Sequence, residues 1–307
     1  MDGSVNRRSK TAVVILLALP ALFALFDAVS SFSSNRNNGS LISSGLKRQY
    51  FLYVPKSYDR AKASPLVISM HGAAGWPAQQ RELSEWNRLA DSEGFLVVYP
   101  AGIEGTGPRI WHVERGGGLG IDVRFIADLI DKVATEYNID RTRIYANGIS
   151  NGGGMSFVLS CRLSDRIAAV GLVAAAQTLP WSWCTDPRPV PMIAFHGTAD
   201  PQVPYRGGVS WVAPKPFPDI SVWTAKWARR IRCQPKAIES RVAPDVMRLE
   251  YTHCADDAAV ILYTIEDGGH TWPGGGPLPE WGLGRTTHSI DASAVMWAFF
   301  RAHPLRR

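Results

Sequence analysis

Only 4 cysteines occur in the 307 residues, and no two of them form a C-x-x-C pair. No two of the 7 histidines stand in H-x-x-x-H spacing either, so a zinc or other metal site is not expected. No run of five or more basic residues occurs, and the excess of 33 Lys and Arg over 27 Asp and Glu is mild and scattered. Nucleic acid is therefore not an expected partner. No segment repeats at a fixed period, which excludes solenoids and propellers. What remains is an ordinary globular composition, with 46% hydrophobic and 20% charged residues, 28 Gly, 21 Pro and 11 Trp.

Arg7, Arg8 and Lys10 precede an uncharged apolar run over 11–26, which Asp27 ends. A basic start followed by such a run reads as a secretory signal over 1–30, with the small residues Ala28-Val29-Ser30 at the cleavage position. The rival reading is an uncleaved signal anchor, although the run is short for a bilayer crossing and contains Pro20. Membrane contact is expected only in that case. Export places the chain outside the cell or in the periplasm, and an oxidising compartment favours pairing of Cys161, Cys184, Cys233 and Cys254. Three pairings are open, of which the sequence-local one closes two loops of similar size.

Residues 31–45 are rich in Ser and Asn and read as a flexible tether. From 46 to 304 strands and helices alternate in one expected catalytic domain. Strand patterns lie at 49–54, 65–70, 95–99, 143–146, 168–175, 192–195, 247–251 and 259–265. Helical patterns lie at 79–93, 122–137, 152–161, 221–231 and 291–301, with Asp122 as the expected N-cap of the second. Such alternation predicts an α/β fold, a mostly parallel sheet covered by helices on both faces, with its site at the carboxyl ends of the strands.

Gly148-Ile149-Ser150-Asn151-Gly152 is the chain's one G-x-S-x-G sequence, with a strand before it and a helix after it. That context predicts a nucleophile elbow. The turn is too tight for side chains at 148 and 152, and Ser150 is held in strained geometry at its apex. The Asn151 N–H then heads the following helix as one oxyanion donor. His71-Gly72-Ala73-Ala74-Gly75 follows an early strand, where such folds supply the second donor, assigned here to Ala73. His71 itself is read as orienting that loop.

A serine hydroxyl needs a histidine to take its proton and an acid to hold that histidine. In elbow-type α/β folds these follow in the order Ser, Asp or Glu, His, which removes His71 and His112. His196 and His253 lie at strand ends, His288 in a polar loop and His303 in the tail. His270, in the glycine-flanked loop after strand 259–265, is the expected base. Asp200, in the loop after strand 192–195, is the expected acid, ahead of Asp186, Asp219, Asp256 and Glu266.

From 46 to 300 the chain resembles the extracellular poly(3-hydroxybutyrate) depolymerase and feruloyl esterase-like, carbohydrate esterase family 1-like α/β-hydrolases. The resemblance rests on YFLYVP at 50–55, Met70–Gly72, YANGISNGGG at 145–154, HGTADPQVPY at 196–205 and GGHTWPG at 268–274. It implies Ser150 as nucleophile, Asp200 as acid, His270 as base, and disulfides Cys161–Cys184 and Cys233–Cys254. Many members carry a cysteine or polar residue after the first His-Gly, where this chain has Ala73-Ala74. The implied activity is that of a secreted, monomeric serine esterase without a cofactor. Its expected substrates are hydroxyalkanoate (oligo)esters, or alternatively feruloyl or acetyl esters of plant polysaccharide. A peptidase, an acyltransferase and a non-catalytic surface binder are the rival classes. Trp272, two residues from the expected base, is the expected substrate contact.

Overall fold

Along each central strand, successive side chains enter two different cores. Leu66, Ile68 and Met70 join one cluster while Val67 joins the other. Val170 and Leu172 likewise oppose Ala169 and Val173, and Met192 and Ala194 oppose Ile193 and Phe195. A sheet patterned this way must be covered on both faces. The computed structural model describes residues 37–103, 108–114, 116–184 and 188–306. The expected signal segment lies outside them, as do residues 31–36 of the expected tether. No helix among the described residues is long and apolar enough to cross a membrane.

The described strands are β1 Gly39–Ser43, β2 Leu46–Tyr53, β3 Ser64–Met70, β4 Leu96–Pro100, β5 Ile139–Ile149, β6 Ala169–Val173, β7 Met192–Gly197, β8 Gly208–Ser210, β9 Ala213–Phe217, β10 Ile238–Ala243, β11 Val246–Tyr251 and β12 Val260–Ile265. The helices are α1 Pro77–Ser84, α2 Trp86–Glu93, α3 Gly117–Glu136, α4 Asn151–Arg162, α5 Ile220–Arg230, α6 Glu280–Leu283 and α7 Ala292–Ala302. One sheet runs β1-β2-β4-β3-β5-β6-β7-β12-β11-β10, and β8 pairs with β9 in a separate hairpin. Strands β4, β3, β5, β6, β7 and β12 are mutually parallel, and antiparallel strands finish both edges. This is the architecture of the α/β-hydrolase fold. Helices α3, α4 and α5 fill one core, whereas α1, α2 and α7 fill the other.

Three sequence expectations change. Residues 39–43 are not tether but strand β1, paired antiparallel with β2. Leu41 packs on the core, and the Ser43 hydroxyl donates to Asp128 Oδ2 at 2.7 Å. The helix expected over 79–93 is two helices, because Glu85 takes a left-handed φ of 51° between them. That break turns Trp86 inward, where its Nε1–H donates to Asn147 at 3.2 Å and its ring stacks on Phe300. Asp122 is not an N-cap, since α3 begins at Gly117 and the carboxylate is buried against Arg48. The polar edge strand β10 also lacks the alternation that marks the others.

Disulfides join Cys161 to Cys184 and Cys233 to Cys254. The first ties α4 to the loop holding Trp181, and the second ties the chain after α5 to the chain after β11. On the opposite face α7 is fixed by aromatic packing. Phe300 stacks on Tyr145 with ring centres 4.7 Å apart, and Trp297 lies 4.1 Å from Phe95. Phe300 is fully buried, so Phe300→Ala should cost about 3–5 kcal/mol of unfolding free energy. Guanidinium denaturation measures this, and a loss under about 1 kcal/mol would mean that α7 is not locked to the sheet.

Candidate active site

The end of β5 cannot run straight on into α4 because the end of β3 lies against it. A Cβ on Gly148 would fall 2.5 Å from the carbonyl carbon of Gly152 and 2.6 Å from the Met70 oxygen. One on Gly152 would come within 2.6 Å of the His71 oxygen and closer still to Met70. Only glycines fit there. The chain reverses through Ser150, at φ 55° and ψ −121°, a region that side-chain-bearing residues seldom adopt. The Ser150 N–H donates to Val173 on β6 at 2.9 Å, and its carbonyl accepts from Gly154 at 2.9 Å. The backbone is thereby pinned while the hydroxyl faces a cavity of about 570 Å³ that Ser150 and His270 both line.

His270 arrives from the loop after β12, where backbone again packs on backbone. A Cβ on Gly197 would strike Gly268 and Gly269, and the Ala199 N–H donates to the Gly268 carbonyl at 2.9 Å. The Asp267 N–H donates to Thr198 Oγ1 at 2.8 Å, so the loops after β7 and β12 form one unit. His270 N–H donates to Leu283 at 2.6 Å, tying the base loop to α6. Within this unit Asp200 and His270 meet: Nδ1 lies 3.0 and 2.9 Å from the two carboxylate oxygens. Both residues are buried. The N–H groups of Gln202 and Val203 donate to Asp200 Oδ1 at 2.8 Å each. Burial pushes the Asp200 carboxyl up. The His270 hydrogen bond, the charges of His270 and His196 and the Val203 N–H outweigh it, so the acid titrates below its ordinary value. An ionised carboxylate facing Nδ1 fixes the hydrogen there and leaves Nε2 as an acceptor.

The other carboxylates do different work. Asp219 caps α5 by accepting from Val222 at 3.0 Å, and Glu266 pairs with Arg241 at 2.8 Å. Asp256 is exposed, and Asp186 lies outside the described residues. His196 is held by the Val203 carbonyl at 2.8 Å and His303 by Phe299 at 2.7 Å.

Ala73 and Asn151, the expected backbone donors, both line the same cavity. Asn151 is the first residue of α4, whose leading N–H groups have no helical partner. In the loop after β3, which carries Ala73, Ala74 N–H donates to Arg109 and Gly75 N–H to Gly72. His71 organises this loop. Its Nδ1–H donates to the Gly72 carbonyl at 2.7 Å, and its Nε2 accepts from Gly102 at 3.0 Å. Both bonds require a neutral ring. Burial, helped by the charges of Arg109 and Arg48 and opposed by the Gly72 carbonyl, pushes His71 down to about 4.

Trp272 is not a cavity residue. It is 1% exposed, its Nε1–H donates to Ser293 Oγ at 3.1 Å, and that hydroxyl donates to Ser84. Its ring belongs to the α7-side core, so nearness to His270 in sequence misled. Trp111 lines the cavity instead. Its N–H donates to Asn151 Oδ1 at 2.7 Å, and its carbonyl accepts from Asn151 Nδ2 at 3.0 Å. His112, removed above as a base, lines the cavity too and pairs with Asp122, read above as a cap, while Arg48 beneath them drew no reading. The available signal was a charged residue within the apolar periodicity of α3.

A neutral buried histidine gives a signed pH prediction. Unfolded, His71 takes up a proton below about 6.5, but in the fold it does so only near about 4. Its contribution is complete above pH 6.5 and is lost as pH falls from 6.5 to 4, on the order of 3 kcal/mol. His196, also depressed chiefly by burial, acts in the same direction. Urea midpoints should therefore fall over this window, and less steeply in His71→Gln. Identical slopes would mean that His71 is not held neutral.

The chain is similar to known esterases. Residues 48–178 match the family model described as Esterase PHB depolymerase. Feruloyl esterase B of Piromyces equi is 31% identical over 229 residues, 73% of this chain but only 42% of its own length. Feruloyl esterase C of Emericella nidulans is 27% identical over 262 residues, covering 83% of this chain and 84% of its own. The solved acetyl xylan esterase from Aspergillus awamori superposes with a TM-score of 0.61 at 15% identity, over 86% of this chain and 98% of that one. That last likeness shows the fold. On its motifs, its sheet and these relatives, the chain has the α/β-hydrolase fold and is similar to the poly(3-hydroxybutyrate) depolymerase and feruloyl esterase-like enzymes.

Proposed function

We propose that the chain is a serine ester hydrolase in which Ser150 attacks, His270 shuttles the proton and Asp200 holds the imidazole. The observation that carries this reading is a buried Asp200–His270 pair whose ring opens on the cavity lined by Ser150. Nε2 of His270 removes the hydroxyl proton as Ser150 Oγ bonds to the ester carbonyl carbon. The carbonyl oxygen becomes an oxyanion that accepts from the Asn151 and Ala73 N–H groups. Collapse breaks the ester C–O bond, and the leaving alkoxide takes the proton from His270. Water, deprotonated by the same nitrogen, then attacks the acyl-enzyme and releases the acid and Ser150. Asp200 stays ionised throughout and stabilises the imidazolium. No step needs a cofactor.

Hydroxyalkanoate esters are the first substrate class, supported by the family match over 48–178. Feruloyl esters of plant polysaccharide are the second, supported by the relatives named for that activity. The two disulfides support action by one catalytic domain in an oxidising compartment outside the cytosol, secreted or periplasmic. We take the acting species to be a monomer that binds no nucleic acid.

With p-nitrophenyl acetate, wild type should turn over, while Ser150→Ala and His270→Ala lose at least about 10³-fold in kcat and stay folded. Asp200→Asn should be severe but milder. Near-normal turnover in His270→Ala would move the base elsewhere. A panel of hydroxybutyrate oligomers, methyl ferulate and acetylated xylan ranks the substrate classes. The oligomers should give the highest kcat/KM, and a ferulate maximum would replace them with the second reading.

A further inference from the structure

The cavity contains a second imidazole backed by a buried carboxylate, one that the hydrolysis scheme does not use. His112 lines it with 33% of its side chain exposed, and its Nδ1 lies 2.8 Å from Oδ2 of the fully buried Asp122. The His112 backbone N–H donates to the same oxygen at 2.8 Å, so main chain and ring are fixed together. Behind them, Arg48 Nη2 lies 2.9 Å from Asp122 Oδ1. The same guanidinium donates to the Ala101 carbonyl at 3.1 Å and rests 3.9 Å over the Phe125 ring. A carboxylate oxygen in this position accepts, which puts the ring hydrogen of His112 on Nδ1. Nε2 is then a lone-pair acceptor on a part-exposed ring that lines the cavity.

The ring is also fixed relative to the nucleophile. One of its faces lies over Gly118, where a Cβ would stand 2.7 Å from Nε2. The preceding residue, Trp111, exchanges two hydrogen bonds with Asn151, which directly follows Ser150. A neutral acceptor held this rigidly selects a donor on the bound molecule. Esters seldom offer an N–H, so the donor is a hydroxyl.

We infer that His112 is a specificity-determining residue that accepts a hydrogen bond from a free hydroxyl of the ester substrate, with Asp122 and Arg48 as its positioning residues. This rests on the ester-hydrolase reading and deepens it. A site built to bond a hydroxyl rejects the analogue lacking one, because its own polar group is left unpaired. The hydroxyl could belong to a hydroxyacyl group or to a phenol, and two matched ester pairs separate these sources. The first pair is methyl 3-hydroxybutyrate against methyl butyrate. The second is methyl ferulate against methyl 3,4-dimethoxycinnamate.

Wild type should favour the hydroxylated member of one pair in kcat/KM, and that pair identifies the source. His112→Phe, which keeps the ring and loses both nitrogens, should lower the preference about tenfold, mainly through KM. Gly118→Ala keeps the nitrogens but displaces the ring, and should lower it in the same way. Thermal melting checks that both variants are folded. No preference in wild type for either pair, or an equal loss on both members in the variants, would overturn the inference while leaving the hydrolase reading standing. If wild type turns over none of the four esters and no p-nitrophenyl acetate, the hydrolase reading itself fails, and the inference with it.

Discussion

Two backbone-on-backbone contacts, each too close for a Cβ, set the geometry on which the rest of the site depends. At the first, Gly148 and Gly152 lie against the carbonyls that end β3. At the second, Gly197 lies against Gly268 and Gly269. The first ejects Ser150 from the strand at a strained φ, and the second draws the Asp200 and His270 loops into one piece. Neither contact is chemical in itself. Each converts the parallel order of β3, β5, β7 and β12 into a common rim, so residues 50 to 120 positions apart in sequence (Ser150, Asp200, His270) come to serve one cavity. Larger residues would force the strands apart, and the side chains would lose their shared reference frame.

Hydrogen-bond partners and burial together then set the charge of Asp200 and His71. Asp200 remains a carboxylate because two backbone N–H groups and His270 meet its oxygens. His71 remains neutral because its two nitrogens are already committed, one as donor and one as acceptor. Asp122 is held by Arg48 and in turn holds His112. Asp200, His71 and Asp122 thus each have partners that fix which atoms donate and which accept. That arrangement prepares a site for charge that develops only during reaction.

Much of this was legible in the sequence because it rests on patterns that packing enforces. The alternation of 66–70 and 192–195 reflects two cores, and the glycines at 148, 152, 268 and 269 mark the close contacts. The remainder depended on direction, which spacing does not encode. Trp272 neighbours His270 in the chain, yet its ring turns toward Ser293 and the opposite core. Strand β1, Gly-Ser-Leu-Ile-Ser after an Asn-rich stretch, becomes a strand only because β2 offers it a free edge. Asp122 looks like a cap at the start of an apolar stripe. It is a buried anion because Arg48, more than seventy residues earlier, lies beneath the same helix. Contacts between residues far apart in sequence leave no local trace.

The central claim is that one cavity holds a serine oxygen, an imidazole and two backbone donors in mutual reach. A crystal structure of the protein inactivated by diisopropyl fluorophosphate tests it most directly. Phosphorus should be bonded to Ser150 Oγ, with the phosphoryl oxygen about 2.7–3.1 Å from both the Ala73 and Asn151 nitrogens and His270 Nε2 beside the adduct. Modification of another residue, or an adduct whose phosphoryl oxygen points away from those amides with the His270 ring out of reach, would contradict the account.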